Sequence, residues 1–229
     1  MSLLTPELVE QFRRFDTASV SNAIETFDVR LRNEGFADGR LRCLFPDVPA
    51  MIGHAVTARI RCSAPPPVGH AYHDRTDWWS YIAGVPAPRV VVVQDLDDRP
   101  GLGAFVGHVH AHILHALGCV GYATNGTVRD LEDVRKLGFQ LFASGPAVSH
   151  AFAHIVDFGQ PVEVAGLAVS TGDVLFGDAG GLMSVPSALL SQIPDTVDAM
   201  HVKEAHVIAF CRSPLFSIDG LRTLVRDLG

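Results

Sequence analysis

Apolar residues recur at helical spacing from Thr5 to Phe15 and again from Thr17 to Phe27. Thr5-Pro-Glu opens the first run, and Asp16 and Thr17 offer capping oxygens to the second. A stretch rich in turn residues follows to about Met51. From His54 to Cys62 apolar and polar residues alternate, which predicts a half-buried strand closed by Pro65-Pro66-Pro67. His70 to Ala83 reads as helical. Arg89 to Gln94 is a short, uninterrupted β-branched run of the kind a sheet buries on both faces.

The next segment is the most regular. It predicts a loop and helix over 101–117, a strand over 119–124, a helix over 128–137 and a strand over 139–143. Strands alternating with helices imply parallel βαβ crossovers, with loops gathered at the strand C-termini, where α/β proteins usually build their sites. From Val162 to Pro186 the pattern changes to short strands punctuated by Gly166, Gly172, Gly177 and Gly180-Gly181, read as antiparallel hairpins. Helices over 194–210 and 218–228 close the chain. The expectation is an α/β fold in one domain spanning residues 1–229, with no repeat or linker to divide it.

Composition narrows the function class. In 229 residues, 48% are hydrophobic and 19% charged, ample for a folded core. The net charge of −7 leaves no basic footprint for a phosphate backbone, so no nucleic-acid partner is expected. No apolar run approaches the roughly 20 residues of a membrane span, and the first residues lack a charged-then-apolar signal pattern. A cytoplasmic protein is expected. Cys43, Cys62, Cys119 and Cys211 form no CxxC pair and sit among apolar neighbours, which predicts four buried, reduced thiols.

Four constellations carry candidate chemistry. Gly101-Leu-Gly103-Ala-Phe-Val-Gly107 superficially matches a dinucleotide-binding fingerprint, but Asp95 to Pro100 separates it from its strand and the second strand ends in Asn125 rather than an acid. Glycines before a helix still let backbone N–H groups reach a carboxylate or phosphate. Asn125-Gly-Thr-Val-Arg129-Asp130-Leu-Glu-Asp133 lies at a strand-to-helix junction, where a guanidinium can bind an anion and a carboxylate can hold a hard cation such as Mg2+. On the predicted helix Asp130 and Asp133 are one turn apart and share a face, one on the metal and one behind it; the alternative is that both merely complement the helix N-terminus. His108, His112 and His115 fall on one helix face, with His110 turned away. His108 and His112 have metal-ligand spacing, but without an HExxH glutamate or a third ligand they read as exposed or interfacial histidines. Asp173 and Asp178 in the hairpin region read as turn residues.

Several of these segments together resemble the RraA-like family, which includes 4-hydroxy-4-methyl-2-oxoglutarate aldolases, regulators of ribonuclease E activity and members labelled demethylmenaquinone methyltransferases. They are Val20-Ser-Asn-Ala-Ile24, Gly53-His-Ala-Val-Thr57, Val90 to Asp95, Gly107 onward, Asn125 to Phe139 and Gly172-Asp-Val-Leu-Phe-Gly-Asp178. The resemblance implies a layered β/β/α sandwich of the swivelling type with a C-terminal hairpin and helices, assembled as a homotrimer or hexamer. It implies a metal-dependent carbon–carbon lyase, an aldolase or decarboxylase that cleaves a 4-carboxy-2-hydroxy or 2-oxo acid through a pyruvate enolate, with Mg2+ or Mn2+ as cofactor. Asp130 would then bind the metal, with Asp133 behind it. Arg129 would contact the substrate, and the backbone at Gly107, His108, Val109 and His110 would receive its carboxylate. The alternative is a non-catalytic regulator acting by protein contact. The glycine loop, set too far past its strand, speaks against a methyltransferase. Two departures stand out. Twenty-one positions before Arg129, where the aldolases carry an acid, this chain has His108, which keeps a proton-transfer role but not the negative charge. Asn125 stands where many members have Asp. Glu204 and His206 on the closing helices are candidate contributions to a neighbouring subunit's site.

Overall fold

The computed structural model describes residues 3–67 and 76–228. Its elements are α1 (Pro6–Phe12), α2 (Thr17–Glu25), β1 (Arg42–Cys43), β2 (Met51–Arg61), α3 (Thr76–Gly84), β3 (Arg89–Asp95), α4 (His108–Ala116), β4 (Cys119–Thr124), β5 (Thr127–Val128), α5 (Leu131–Arg135) and β6 (Gln140–Ala143). They continue with β7 (Gly145–Pro146), β8 (His154–Phe158), β9 (Val162–Val164), β10 (Leu167–Val169), β11 (Val174–Asp178), β12 (Gly181–Val185), α6 (Ile193–Cys211) and α7 (Ile218–Leu228). The expected caps are in place: Thr5 Oγ1 accepts the Leu8 N–H, and Asp16 Oδ1 the Ser19 N–H.

The main sheet runs β1-β6-β4-β3-β2-β11-β12, with β8 also pairing β2. β2, β3, β4 and β6 are parallel and adjacent in chain order. All three crossovers therefore step in the same direction, and a uniform crossover hand puts α3, α4 and α5 on one face. The valines of β3 show both faces at work. Val91 and Val93 pack with Trp78, Ile82 and Leu114 on the helical side. Val90 and Val92 pack with Val162, Val164, Leu167 and Val169 of the β9–β10 hairpin on the other. This is the expected β/β/α layering. A third cluster seats α1, α2 and the start of α6 on the β11–β12 hairpin through Phe12, Val20, Ile24, Phe176, Met183, Ile193 and Val197.

Four expectations need correction. β2 begins at Met51 and is buried on both faces for most of its length, not half-buried. Antiparallel β11 and β8 extend its outer edge while layers cover both faces, and buried Thr57 is satisfied at 2.8 Å by Thr171 Oγ1. The helix expected from 128 begins only at Leu131, because Thr127 and Val128 pair with Gly145 and Pro146 and Asp130 adopts the left-handed conformation (φ 57°). The turn-rich stretch before Met51 contributes strand β1 to the sheet edge. Of the cysteines, all free, Cys62 and Cys119 are buried, Cys43 is half-buried and Cys211 is exposed on α6. The helix expected over 70–83 is described from Thr76 onward; its earlier part lies outside the described residues. Among the described residues no helix is long and apolar enough to cross a membrane.

Candidate active site

The C-terminal ends of β3, β4 and β6 deliver three loops to one edge of the sheet, residues 96–107, 125–130 and 144–153. Asn125 ties the first two together. Its Oδ1 accepts the Asp95 N–H at 2.7 Å, and its Nδ2 donates to the Asp95 carbonyl at 3.0 Å. Thr127 Oγ1 then donates to the Gly101 and Gly103 carbonyls, and Ala104 bridges to Thr127. These bonds deliver the chain to Gly107, the first turn of α4, beside Arg129 and Asp130.

There the packing is close. The Arg129 N–H donates to the Val106 carbonyl at 3.1 Å. Asp130 Oδ2 accepts the His108 N–H at 2.9 Å and Arg129 Nε at 3.3 Å. A Cβ on Gly107 would lie 2.5 Å from Asp130 Oδ2 and 2.9 Å from Arg129 Cγ, so only glycine lets α4 start this near the carboxylate. The His108 backbone N–H, then Arg129, hold the Asp130 carboxyl below the usual carboxylate range, and it is ionised at neutral pH. Side chains of Arg129 and Asp130 remain about a third exposed, at 35% each. They border a cleft of about 100 Å³ lined also by Ala104, Phe105, Gly107, His108, Val109, His110 and His150.

The residues expected to act together are thus gathered, with differences of detail. Asp133 reaches Asp130 through its backbone N–H, while its carboxylate pairs with Lys136 at 2.9 Å. His108 is half-buried and its Nε2 lies 3.0 Å from His112 Nε2. His110, as expected, faces inward: it is 1% exposed, with Nδ1 3.1 Å from the Phe105 carbonyl, so it bears on the cleft through its backbone. Glu204 and His206 lie on the exposed part of α6. His150 was not foreseeable from the sequence. It arrives because the Ala104 N–H bonds the Ser149 carbonyl, a long-range pairing with no local pattern to announce it.

Buried Cys62, Asp95 and Asp97 bring potential ligand atoms within 4.8 Å of one another. Their oxygens, however, already accept from the Cys62, Ser63, Asp97 and Gly101 N–H groups and from Ser63 Oγ. Burial, chiefly, pushes the Cys62 thiol up to about 12. The cluster closes the 96–103 loop onto the end of β2.

Comparison with known proteins decides the ancestry of this arrangement: the RraA-like (Aldolase/RraA) family profile matches residues 17–183. The chain belongs to the RraA-like family. Protein DlpA of Legionella pneumophila is 23% identical over 207 residues, 88% of this chain, and a Halalkalibacterium halodurans protein named as a 4-hydroxy-4-methyl-2-oxoglutarate aldolase is 26% identical over 84 residues, 36% of this chain. The chain spans 31% and 40% of these relatives' lengths. Among solved structures, an uncharacterized protein from Pseudomonas syringae pv. tomato superposes with a TM-score of 0.73 at 20% identity, covering 96% of this chain and 94% of its own. RraAS2 of Streptomyces coelicolor, described as an unusual member of the RNase ES inhibitor RraA protein family, gives 0.66 at 21%, covering 90% and 96%. At these identities the structural likeness establishes the RraA-like fold. The family holds aldolases and regulators, so function must be argued from the site.

Proposed function

We propose that the protein is a divalent-metal-dependent carbon–carbon lyase acting on a small 2-oxo or 4-carboxy-2-hydroxy acid and releasing pyruvate. The observation that carries this reading is the Arg129–Asp130 pair: an ionised carboxylate, clamped in a left-handed backbone conformation against the first N–H of α4, with a guanidinium on the same oxygen. Strained, pre-set geometry of this kind costs roughly 1–3 kcal/mol and persists where surroundings over-determine it, often at functional sites. The match to a protein named as a 4-hydroxy-4-methyl-2-oxoglutarate aldolase supports the class of substrate.

The donor set suits a hard cation. Both contacts to the carboxylate fall on Asp130 Oδ2, and Mg2+ is commonly held by one or two carboxylates, completed by water and substrate oxygens. Asp130 would hold it, and the ion would supply Lewis-acid polarisation of the substrate oxygens. The chain's own groups do the rest. The N-terminal N–H groups of α4 at Val109 and His110 receive the substrate carboxylate, favoured by the helix dipole. Arg129 faces the negative charge that builds on the C2 oxygen as the bond to C3 breaks. As the C3–C4 bond breaks, the His108 imidazole takes the proton of the C4 hydroxyl, and it then delivers that proton to C3. Oxaloacetate, which yields the same pyruvate fragment on losing carbon dioxide, is an expected second substrate.

Pyruvate release coupled to lactate dehydrogenase, from 4-hydroxy-4-methyl-2-oxoglutarate and from oxaloacetate with Mg2+, Mn2+ or EDTA, tests this reading. Turnover should require the metal, disappear in Asp130→Asn, and fall about 10²–10³-fold in kcat/KM in Arg129→Ala, the scale of losing one preorganised donor. Silence with both acids and both metals would sink the lyase reading in favour of a regulator that acts by protein contact.

A further inference from the structure

The lyase reading uses His108 alone, yet the structure sets His108 and His112 as a pair. One helical turn apart on α4, they bring Nε2 to within 3.0 Å of Nε2, with ring centroids 4.7 Å apart and planes at 69°. Two metal–nitrogen bonds of about 2.0–2.1 Å, opened between a right angle and the tetrahedral angle, place their nitrogens roughly 2.9–3.4 Å apart. The pair therefore already has the spacing of a chelate. The i,i+4 repeat is also the arrangement by which two helical histidines share one ion.

The surroundings favour a cation. Asp130 Oδ2 accepts the His108 N–H at 2.9 Å, which sets a carboxylate of opposite sign close to any ion held here. Among the described residues no third His, Cys, Asp or Glu ligand atom lies within 4.8 Å of both, so further coordination positions fall to water or to an incoming ligand. Imidazole nitrogen selects borderline ions such as Zn2+, Co2+ and Ni2+, whereas Mg2+ prefers oxygen. We propose that His108 and His112 chelate one borderline divalent transition-metal ion through their Nε2 atoms, at a site beside the Asp130 carboxylate and of different ligand preference. This goes beyond the lyase reading and stands without it.

The test uses untagged full-length protein stripped of metal. Co2+ is titrated in and its visible ligand-field absorption recorded, then Zn2+ and Mg2+ are compared as displacing ions. One Co2+ per chain, displaced by Zn2+ and not by millimolar Mg2+, is the expected result. His112→Ala, an exposed substitution outside the proposed catalytic groups, should weaken Co2+ binding about tenfold or more, since even supporting residues of metal sites cost 10–100-fold. His108→Ala should do the same, while Asp130→Asn should keep the Co2+ spectrum. Unchanged binding in His112→Ala, displacement by Mg2+, or no Co2+ absorption in the wild type would each overturn the chelate. The two readings fail separately: Mg2+-dependent pyruvate release that needs Asp130 survives loss of the chelate, and a Co2+ spectrum that needs His112 survives the absence of any turnover.

Discussion

Three histidines two residues apart on α4 meet three environments, and the difference is physical rather than sequential. His108 is half-buried and His112 exposed, and they face each other, while His110 is sealed between Phe105 and the core. Burial, opposed only in part by its bond to the Phe105 carbonyl, lowers the His110 imidazole from 6.5 to about 4. The unfolded chain therefore takes up a proton near pH 6.5 that the folded chain refuses until about pH 4. Stability contributed by neutral His110 is full above pH 6.5 and lost as the pH falls towards 4, a difference of about 3 kcal/mol. His110→Gln should flatten that part of the pH profile. Urea midpoints at pH 7.5, 5.5 and 4.5 for both proteins would show it, and parallel profiles would refute it. The sequence revealed the helical spacing of these histidines and the Arg129–Asp130 pair. It did not reveal the left-handed φ of Asp130, because nothing in Val128-Arg-Asp-Leu predicts that a non-glycine residue will accept strain held in place by bonds from α4.

At the level of elements, the ends of β3 and β4 are held in register by one side chain. Asn125 donates and accepts at once across the Asp95 peptide. This gives a reason for asparagine rather than aspartate here: a carboxylate would keep the acceptor, lose the donor and set a charge near buried Asp95, whose own carboxyl burial pushes up. Asn125→Asp should cost roughly 1–3 kcal/mol, the scale of an unsatisfied or repelled buried polar group. Thermal unfolding of the variant at pH 7 would check this, and an unchanged midpoint would remove Asn125 from that role. The shortened α5 teaches a related lesson. Helical periodicity from Val128 to Leu137 is present, but Thr127 and Val128 gain more from pairing with Gly145 and Pro146 than from joining the helix. Local patterns carry no information about such distant partners. The all-buried β2 is the same case, since its alternation of polar and apolar residues describes the chain and not the layers laid over both of its faces.

For the molecule as a whole, the crossovers, the hairpin region and the closing helices were legible, because repeated strand–helix alternation allows few topologies. The pairing of β2 with β11 and β8 and the covering of the sheet by β9–β10 were not, being set by contacts between distant parts of the chain. The last helix adds little burial. No residue of α7 is buried, and Ile208, Ile218 and Val225 stay exposed. Removing residues 213–229 should therefore shift the melting midpoint of the isolated chain by no more than a few degrees, about the effect of 1 kcal/mol at this size. A collapse in Tm would show that α7 stabilises the rest. The early helices are bound differently. Phe12 meets Phe176 at 5.6 Å, Thr17 donates twice to Asp178, and Arg14 pairs with Asp198. Thr17 and Asp178 are 161 positions apart, so at 5–20 residues per second a ribosome needs roughly 8–30 s to supply the partner that α2 requires. Through that interval Phe12, Val20 and Ile24 have no hairpin to cover them, and their apolar faces stay open to water until residue 185 has emerged.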